Sequence, residues 1–267
     1  MKRFFVMLLL AAVFCTFLAG CTVSKRTEET TETPTAPEPP EPERERDENG
    51  QFVFDVPDVM NGLYCSPGLD FANSEDVEGT DYINCVILSA YAQDDLAGQI
   101  RLAIKNGNAF WINTQFLERG IVKDKWGKRY MAIAEDWQSE MDKVVATVRE
   151  EGAFNYFLGI YMDEPLFNRF SVKNIYDFSK YNHDTFGKRY FICFAVEGIV
   201  PSEYNDGVTN GHMTKQYSTY ITDAAYDMYW DFETYKDKYE RINEKMKLEL
   251  PDACRIWYIP WAYTTAD

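Results

Sequence analysis

Apolar positions in this chain fall into short continuous runs separated by stripes of helical period. Residues 59–65 form a short apolar run closed by Ser66-Pro67-Gly68, and residues 81–91 carry Tyr82, Ile83, Val86, Ile87 and Leu88. Both read as strands. In residues 95–105, Leu96, Ile100 and Ala103 recur at helical spacing, with Asp94 placed to cap the helix and Asn106-Gly107 to end it. Residues 109–116, with Phe110, Trp111 and Ile112, give a third strand. Residues 136–151 give a helix whose Trp137, Met141, Val144, Val145 and Val148 share one stripe, stopped by Gly152. The run at 155–165 is the fourth strand. Its Phe157, Leu158, Ile160, Tyr161 and Met162 leave no polar face, which suits a strand covered on both sides.

Residues 171–186 read as helix and 189–196 as strand five, followed by a long polar loop at 197–213. A short helix is expected at 214–222, strand six at 225–232, a charged amphipathic helix at 234–248 broken by Pro251, and strand seven at 254–262. Strands alternating with helices predict right-handed βαβ units and a parallel sheet. No glycine-rich phosphate loop follows the first strand, so a dinucleotide-binding fold has little support. The architecture expected is an α/β fold of the (β/α)8 TIM-barrel type, with seven strands visible. The chain stops at Thr264-Thr265-Ala266-Asp267, as a barrel truncated after strand seven would, leaving an unpaired edge.

The beginning of the chain changes this picture. Residues 1–21 hold Lys2 and Arg3, an apolar run too short for a membrane span, and then Leu18-Ala19-Gly20-Cys21. The small pair before Cys21 resembles a bacterial lipobox, in which the cysteine is lipidated and becomes the mature first residue. An ordinary secretory signal and a single membrane anchor are the alternatives; each places the rest outside the cytoplasm. Residues 22–50, rich in Thr, Glu and Pro, bury too little to offset their ordering entropy and read as a disordered tether. Residues 51–267 are left as one domain.

Charge narrows the partners. The chain has 27 basic and 43 acidic side chains, a net charge of −16. Nucleic acid is disfavoured, and so is close binding to anionic lipid or anionic polysaccharide, unless a local basic site escapes the total. Cys65, Cys85, Cys193 and Cys254 lie in or beside strands and lack Cys-x-x-Cys spacing. With His183 and His212 as the only histidines, a zinc site is weakly supported. Buried thiols are favoured over the disulfides that an exported compartment permits.

The candidate chemistry sits where strand four stops. Pro165 cannot continue a ladder, so Asp163 and Glu164 stand at the carboxyl end of a buried strand, where α/β folds place their ligand sites. The competing assignment is that the pair caps the next helix and bridges to Arg169. Asp163-Glu164-Pro165 resembles the Asn-Glu-Pro of the retaining clan A glycoside hydrolases, and Gly159-Ile160-Tyr161-Met162-Asp163-Glu164-Pro165 looks like the glycoside-hydrolase-like TIM barrels of bacterial lipoproteins. The run from Ile256 to Trp261 is similar to their seventh strand. The resemblance implies that Glu164 is the general acid/base and that Asp163 stands where the sugar 2-hydroxyl is held. It departs from the family at strand seven, where Pro260-Trp261-Ala262-Tyr263 holds no acid for a nucleophile. Asp231 is the first choice for that second carboxylate, with a helix amino-cap as its competing place; Glu197 and Glu233 are the others.

Tyr161, Tyr229, Trp230, Trp261 and Tyr263 fall near strand ends, where rings stack on sugar faces, whereas Trp111 and Trp257 are mid-strand and read as core. The expected protein is an extracytoplasmic, membrane-anchored lipoprotein and a monomer, taking a neutral carbohydrate without metal or other cofactor and without nucleic acid. Its rivals are a carbohydrate-binding barrel that does not cleave and a truncated structural lipoprotein.

Overall fold

The most apolar runs become the centre of one sheet. The computed structural model describes residues 44–58, 62–64, 84–90, 95–166, 168–195, 213–227 and 232–257. Within them β1 (Gly62–Tyr64), β2 (Cys85–Leu88) and β3 (Ala109–Asn113) pair in parallel. The sheet continues through β6 (Phe157–Asp163), β7 (Arg189–Ala195), β8 (Asp223–Asp227) and β9 (Arg255–Ile256), again in parallel. Strand order follows chain order throughout. A doubly wound sheet reverses direction at a switch point; this one is wound in a single sense, as barrel sheets are.

Helices cover one face. α1 (Leu96–Lys105) contributes Ile100, Ala103 and Ile104; α2 (Trp137–Glu150) contributes Met141, Val144, Val145 and Val148; α3 (Val172–Tyr181) contributes Ile175 and Phe178. After the single turn α4 (Lys215–Ser218), α5 (Phe232–Glu249) adds Ile242 and Met246. These pack on Val86, Phe110, Ile112, Phe157, Ile160, Tyr190, Ile192 and Ala224. The other face packs on itself: Ile87, Trp111, Leu158, Tyr161, Phe191, Cys193 and Ala225 form a second cluster with no helical residue in it, joined by Phe54 and Trp257. Trp111 is therefore core, as its mid-strand place requires, whereas Trp257, just past β9, is half-buried against the same cluster. A sheet with helices on one side and its own side chains on the other has the layering of a barrel. Among the described residues, however, no pairing joins β9 to β1. The described residues thus show the seven parallel strands read from the sequence, with no barrel closure among them.

Several features differ from the sequence reading (the strand expected over 109–116 ends at Asn113, and the helix expected from 234 starts at Phe232), four of them for a clear local reason. Asp95, not Asp94, caps α1: its carboxylate accepts from the Gly98 amide at 2.8 Å. β8 starts at Asp223 rather than Ala225, because Arg189 satisfies that buried carboxylate. Residues 44–50, expected in the tether, belong to the compact unit Arg44–Asp267. Arg44 donates to the Tyr156 hydroxyl (3.0 Å) and the Lys105 carbonyl (2.8 Å), and Asn155 donates to Asp47 (2.9 Å). Those are polar contacts, which a count of apolar residues does not register. The fourth is a hairpin not anticipated at all, β4 (Glu118–Lys123) with β5 (Arg129–Ile133), antiparallel and outside the main sheet.

Its turn is built by Asp124, whose carboxylate accepts from the Trp126 and Lys128 amides at 2.8 and 2.9 Å, and by Gly127 at φ +82°. Cys85, Cys193 and Cys254 are thiols rather than disulfides. Among the described residues no helix is long and apolar enough to cross a membrane.

Candidate functional site

The end of β6 is aimed by a bulge near its start. Phe110 pairs with Phe157 but Trp111 pairs with Gly159, so Leu158 is an extra residue and the alternation beyond it is reset. Gly159 takes φ +149°, and a Cβ there would lie 1.8 Å from the Arg189 carbonyl oxygen. Only glycine meets both conditions. Gly159→Ala is expected to destabilise the protein by about 3 kcal/mol or more, combining backbone strain with overpacking. Urea unfolding checks this, and an unchanged midpoint would contradict it.

Beyond the bulge Tyr161 enters the second cluster, its ring 5.1 Å from that of Phe191. It is 2% exposed. The sequence placed this ring as a sugar platform; burial gives it another task, since its hydroxyl donates to Asp163 Oδ1 at 2.7 Å and fixes that carboxylate. Glu164 follows. Its amide still donates to the Cys193 carbonyl at 2.9 Å, continuing the β6–β7 ladder, but its φ is +37°, a value non-glycine residues rarely hold. Strain of this kind at a strand end costs of order 1–3 kcal/mol and clusters at functional sites.

The turn after it is fastened to the pair's backbone. The Asn168 amide donates to the Glu164 carbonyl at 2.8 Å, and the Asn168 side chain to the Asp163 carbonyl at 3.2 Å. Ser171 and Asn174 cap α3 by a reciprocal capping box, so the helix after β6 does not use the carboxylates as its cap.

A third acid, which sequence reasoning missed, adjoins the pair. β3 ends at Asn113, whose side chain accepts from the Gln115 amide at 3.0 Å and starts a 3-10 turn (Thr114–Leu117) that ends at Glu118. Glu118 is half-buried, and its carboxyl is pushed up to about 7, first by desolvation and then by the charge of Asp163. No spacing rule marks it, because β3 is over before it; only the folded position shows it. In the unfolded chain Glu118 ionises near its ordinary 4.5, while the folded chain holds the proton to about 7. The folded state therefore binds the extra proton, and stability falls as pH rises through that window. Glu118→Gln removes this loss. Relative to wild type, the variant is expected to gain in urea midpoint between about pH 5 and about pH 8, and parallel pH dependences would contradict the assignment.

The opposite end of the sheet holds a second polar cluster. Asp223, the first residue of β8, is 0% exposed. It accepts from Arg189 Nε (2.8 Å) and Nη2, from Thr222 Oγ1 (2.7 Å) and from Trp257 Nε1 (2.9 Å), with Arg255 Nε at 3.2 Å. Arg189 and Arg255 begin β7 and β9, so this network closes the amino ends of three strands, away from Asp163 and Glu164. Its acceptor capacity is filled from within the fold, which suits a structural role.

Of the other residues singled out from the sequence, Glu197, Tyr229, Trp230, Asp231, Trp261 and Cys21 lie outside the described residues. Asp227, the last residue of β8, pairs through its backbone with Ala195. Among the described residues no three His, Cys, Asp or Glu side chains group as metal ligands.

No family model and no curated protein matches the chain. Among solved structures it is similar to the spore cortex-lytic enzyme SleL of Bacillus megaterium, at 16% identity and a TM-score of 0.42, over 70% of this chain and 48% of that one. The chain thus spans about half the length of SleL. It is also similar to a chitinase of Chromobacterium violaceum (13% identity, TM-score 0.42, 75% of this chain and 67% of that one). A third is the glycoside hydrolase domain of PelA from Pseudomonas aeruginosa (11%, 0.40, 75% and 83%). At these scores no residue correspondence follows, and the chemistry below rests on this chain's own side chains.

Proposed function

We propose that this protein is an extracytoplasmic lipoprotein, anchored through Cys21, whose α/β domain hydrolyses a neutral carbohydrate with Glu164 as general acid/base. The observation that carries the reading is the strained presentation of Glu164 at the carboxyl end of a buried parallel strand, beside a tethered Asp163 and a Glu118 that keeps its proton to about 7. Glycoside hydrolysis needs carboxyl groups held in different protonation states at one place, and neighbouring acids in unequal environments provide that.

In this scheme Glu164 gives a proton to the glycosidic oxygen and later takes one from water. Asp163, oriented by Tyr161, accepts a sugar hydroxyl. Asp231 is the second carboxylate, with Glu197, Tyr229, Trp230 and Trp261 completing the sugar-binding surface. A second reading, binding without cleavage, is favoured by one observation: residues 257–263 contain no acid to serve as the family's nucleophile. The two are separated by assaying the full-length chain for reducing-end release from neutral polysaccharides alongside binding of the same polymers. Release supports the enzyme, binding alone supports the second reading, and neither result on any polymer rejects both.

A further inference from the structure

The acidic surplus of the chain is not evenly spread. Residues 118–133 hold five basic side chains (Arg119, Lys123, Lys125, Lys128, Arg129) against two acidic ones (Glu118, Asp124), a net +3 in a chain of −16. The hairpin they form projects from the fold, every residue from Arg119 to Tyr130 except Asp124 being exposed. Four of its apolar side chains are exposed with it, while Met131 at its base is buried: Trp126 is 79% accessible, Ile121 46%, Tyr130 41% and Val122 37%. Trp126 stands at the turn with the Lys125 ammonium 4.2 Å from its ring centre. Among the described residues, Arg119 alone of the five cations is held by a carboxylate, that of Glu140 at 2.6 Å.

The four remaining cations crowd the tip. Lys123 is directly opposite Arg129 in the ladder, a like-charge pair that opposes strand pairing. This arrangement has no internal justification in the fold. It suits a partner that is anionic and apolar at once.

We propose that the β4–β5 ribbon is a membrane-docking arm, with Trp126 seated at the water–lipid interface of an anionic leaflet and Lys123, Lys125, Lys128 and Arg129 over its headgroups. Tryptophan and tyrosine favour that interface, and each nearby cation strengthens attachment to acidic lipid roughly fivefold. Ile121 and Val122 decide between lipid and an acidic polysaccharide: β-branched aliphatics gain little from a hydrated glycan and gain from acyl chains. The acidic body does not oppose the contact. A six-residue ribbon reaches about 20 Å, whereas charges are screened within roughly 8 Å at physiological salt. The body can therefore stand beyond the leaflet's field while the tip sits in it. The arm would act beside an anchor at Cys21 without depending on it.

The test is the binding of the full-length chain to phosphatidylglycerol-containing vesicles and to pure phosphatidylcholine vesicles. Any contribution from the amino-terminal residues is common to all variants. The quadruple variant Lys123→Gln, Lys125→Gln, Lys128→Gln, Arg129→Gln is expected to lose roughly five hundredfold in affinity for the anionic vesicles and little for the neutral ones. In Trp126→Ala the blue shift of tryptophan emission on binding should shrink while its thermal transition is retained. Equal affinity of wild type for both vesicles would overturn the proposal, as would undiminished binding by the quadruple variant. Loss in that variant of binding to polygalacturonate, with vesicle binding unchanged, would make the ribbon a glycan arm and overturn it too.

Discussion

Glu164→Gln is expected to lower reducing-end release by about a thousandfold while the protein stays folded and still binds its polymer. General acid–base assistance is worth roughly 10²–10⁴-fold, and glutamine keeps the shape of the side chain without a proton to give. The position makes this a demanding variant. Glu164 already holds φ +37° and its backbone is fixed on both sides, by Cys193 through the amide and by Asn168 through the carbonyl. Those bonds involve no carboxylate, so the substitution leaves them intact. Turnover measured with thermal unfolding on the same preparation checks the expectation. A fall in turnover that tracks a fall in stability would mean that the carboxylate holds the turn rather than the substrate.

Asp223→Ala is expected to cost about 3 kcal/mol or more of stability, lowering the melting temperature by about 10 °C. The cost does not come from the pair's own attraction, which desolvation largely offsets. It comes from what is left behind. Arg189 would keep its charge beside Trp111 without a counterion, the Trp257 indole would lose its acceptor, and the Thr222 hydroxyl would keep only the Tyr190 carbonyl at 3.3 Å. Asp223→Asn retains an acceptor and should cost less. Urea midpoints of the two variants test the order, and an equal, small effect would show the network to be dispensable.

Much of this fold was legible because its strands are buried on both faces. Runs such as 157–162 and 190–194 cannot be surface, and their separation by helical stripes left a parallel sheet as the economical arrangement. The carboxylates after β6 were legible for a related reason, since Pro165 marks the strand end by its missing donor. What escaped notice depended on long-range partners. The β4–β5 ribbon is exposed on both sides, so no alternation of apolar and polar residues betrays it, and only Asp124 and Gly127 signal its turn. Glu118 becomes unusual only when the turn after β3 brings it towards Asp163. Asp223 fell outside a strand read from Ala225, because the Arg189 that neutralises it lies 34 residues earlier in the chain. The bulge at Gly159 was visible only as a glycine in an apolar run.

Glu164 as proton donor is the central claim, and leaving-group dependence tests it most directly. Wild type and Glu164→Gln would be compared on aryl and alkyl glycosides of the sugar released from the active polymer. Departure of a poor leaving group needs a proton and departure of a nitrophenolate does not. The account predicts a deficit in the variant that is large for alkyl glycosides and shrinks towards wild type as the leaving group becomes more acidic. A deficit of the same size for every leaving group would contradict it.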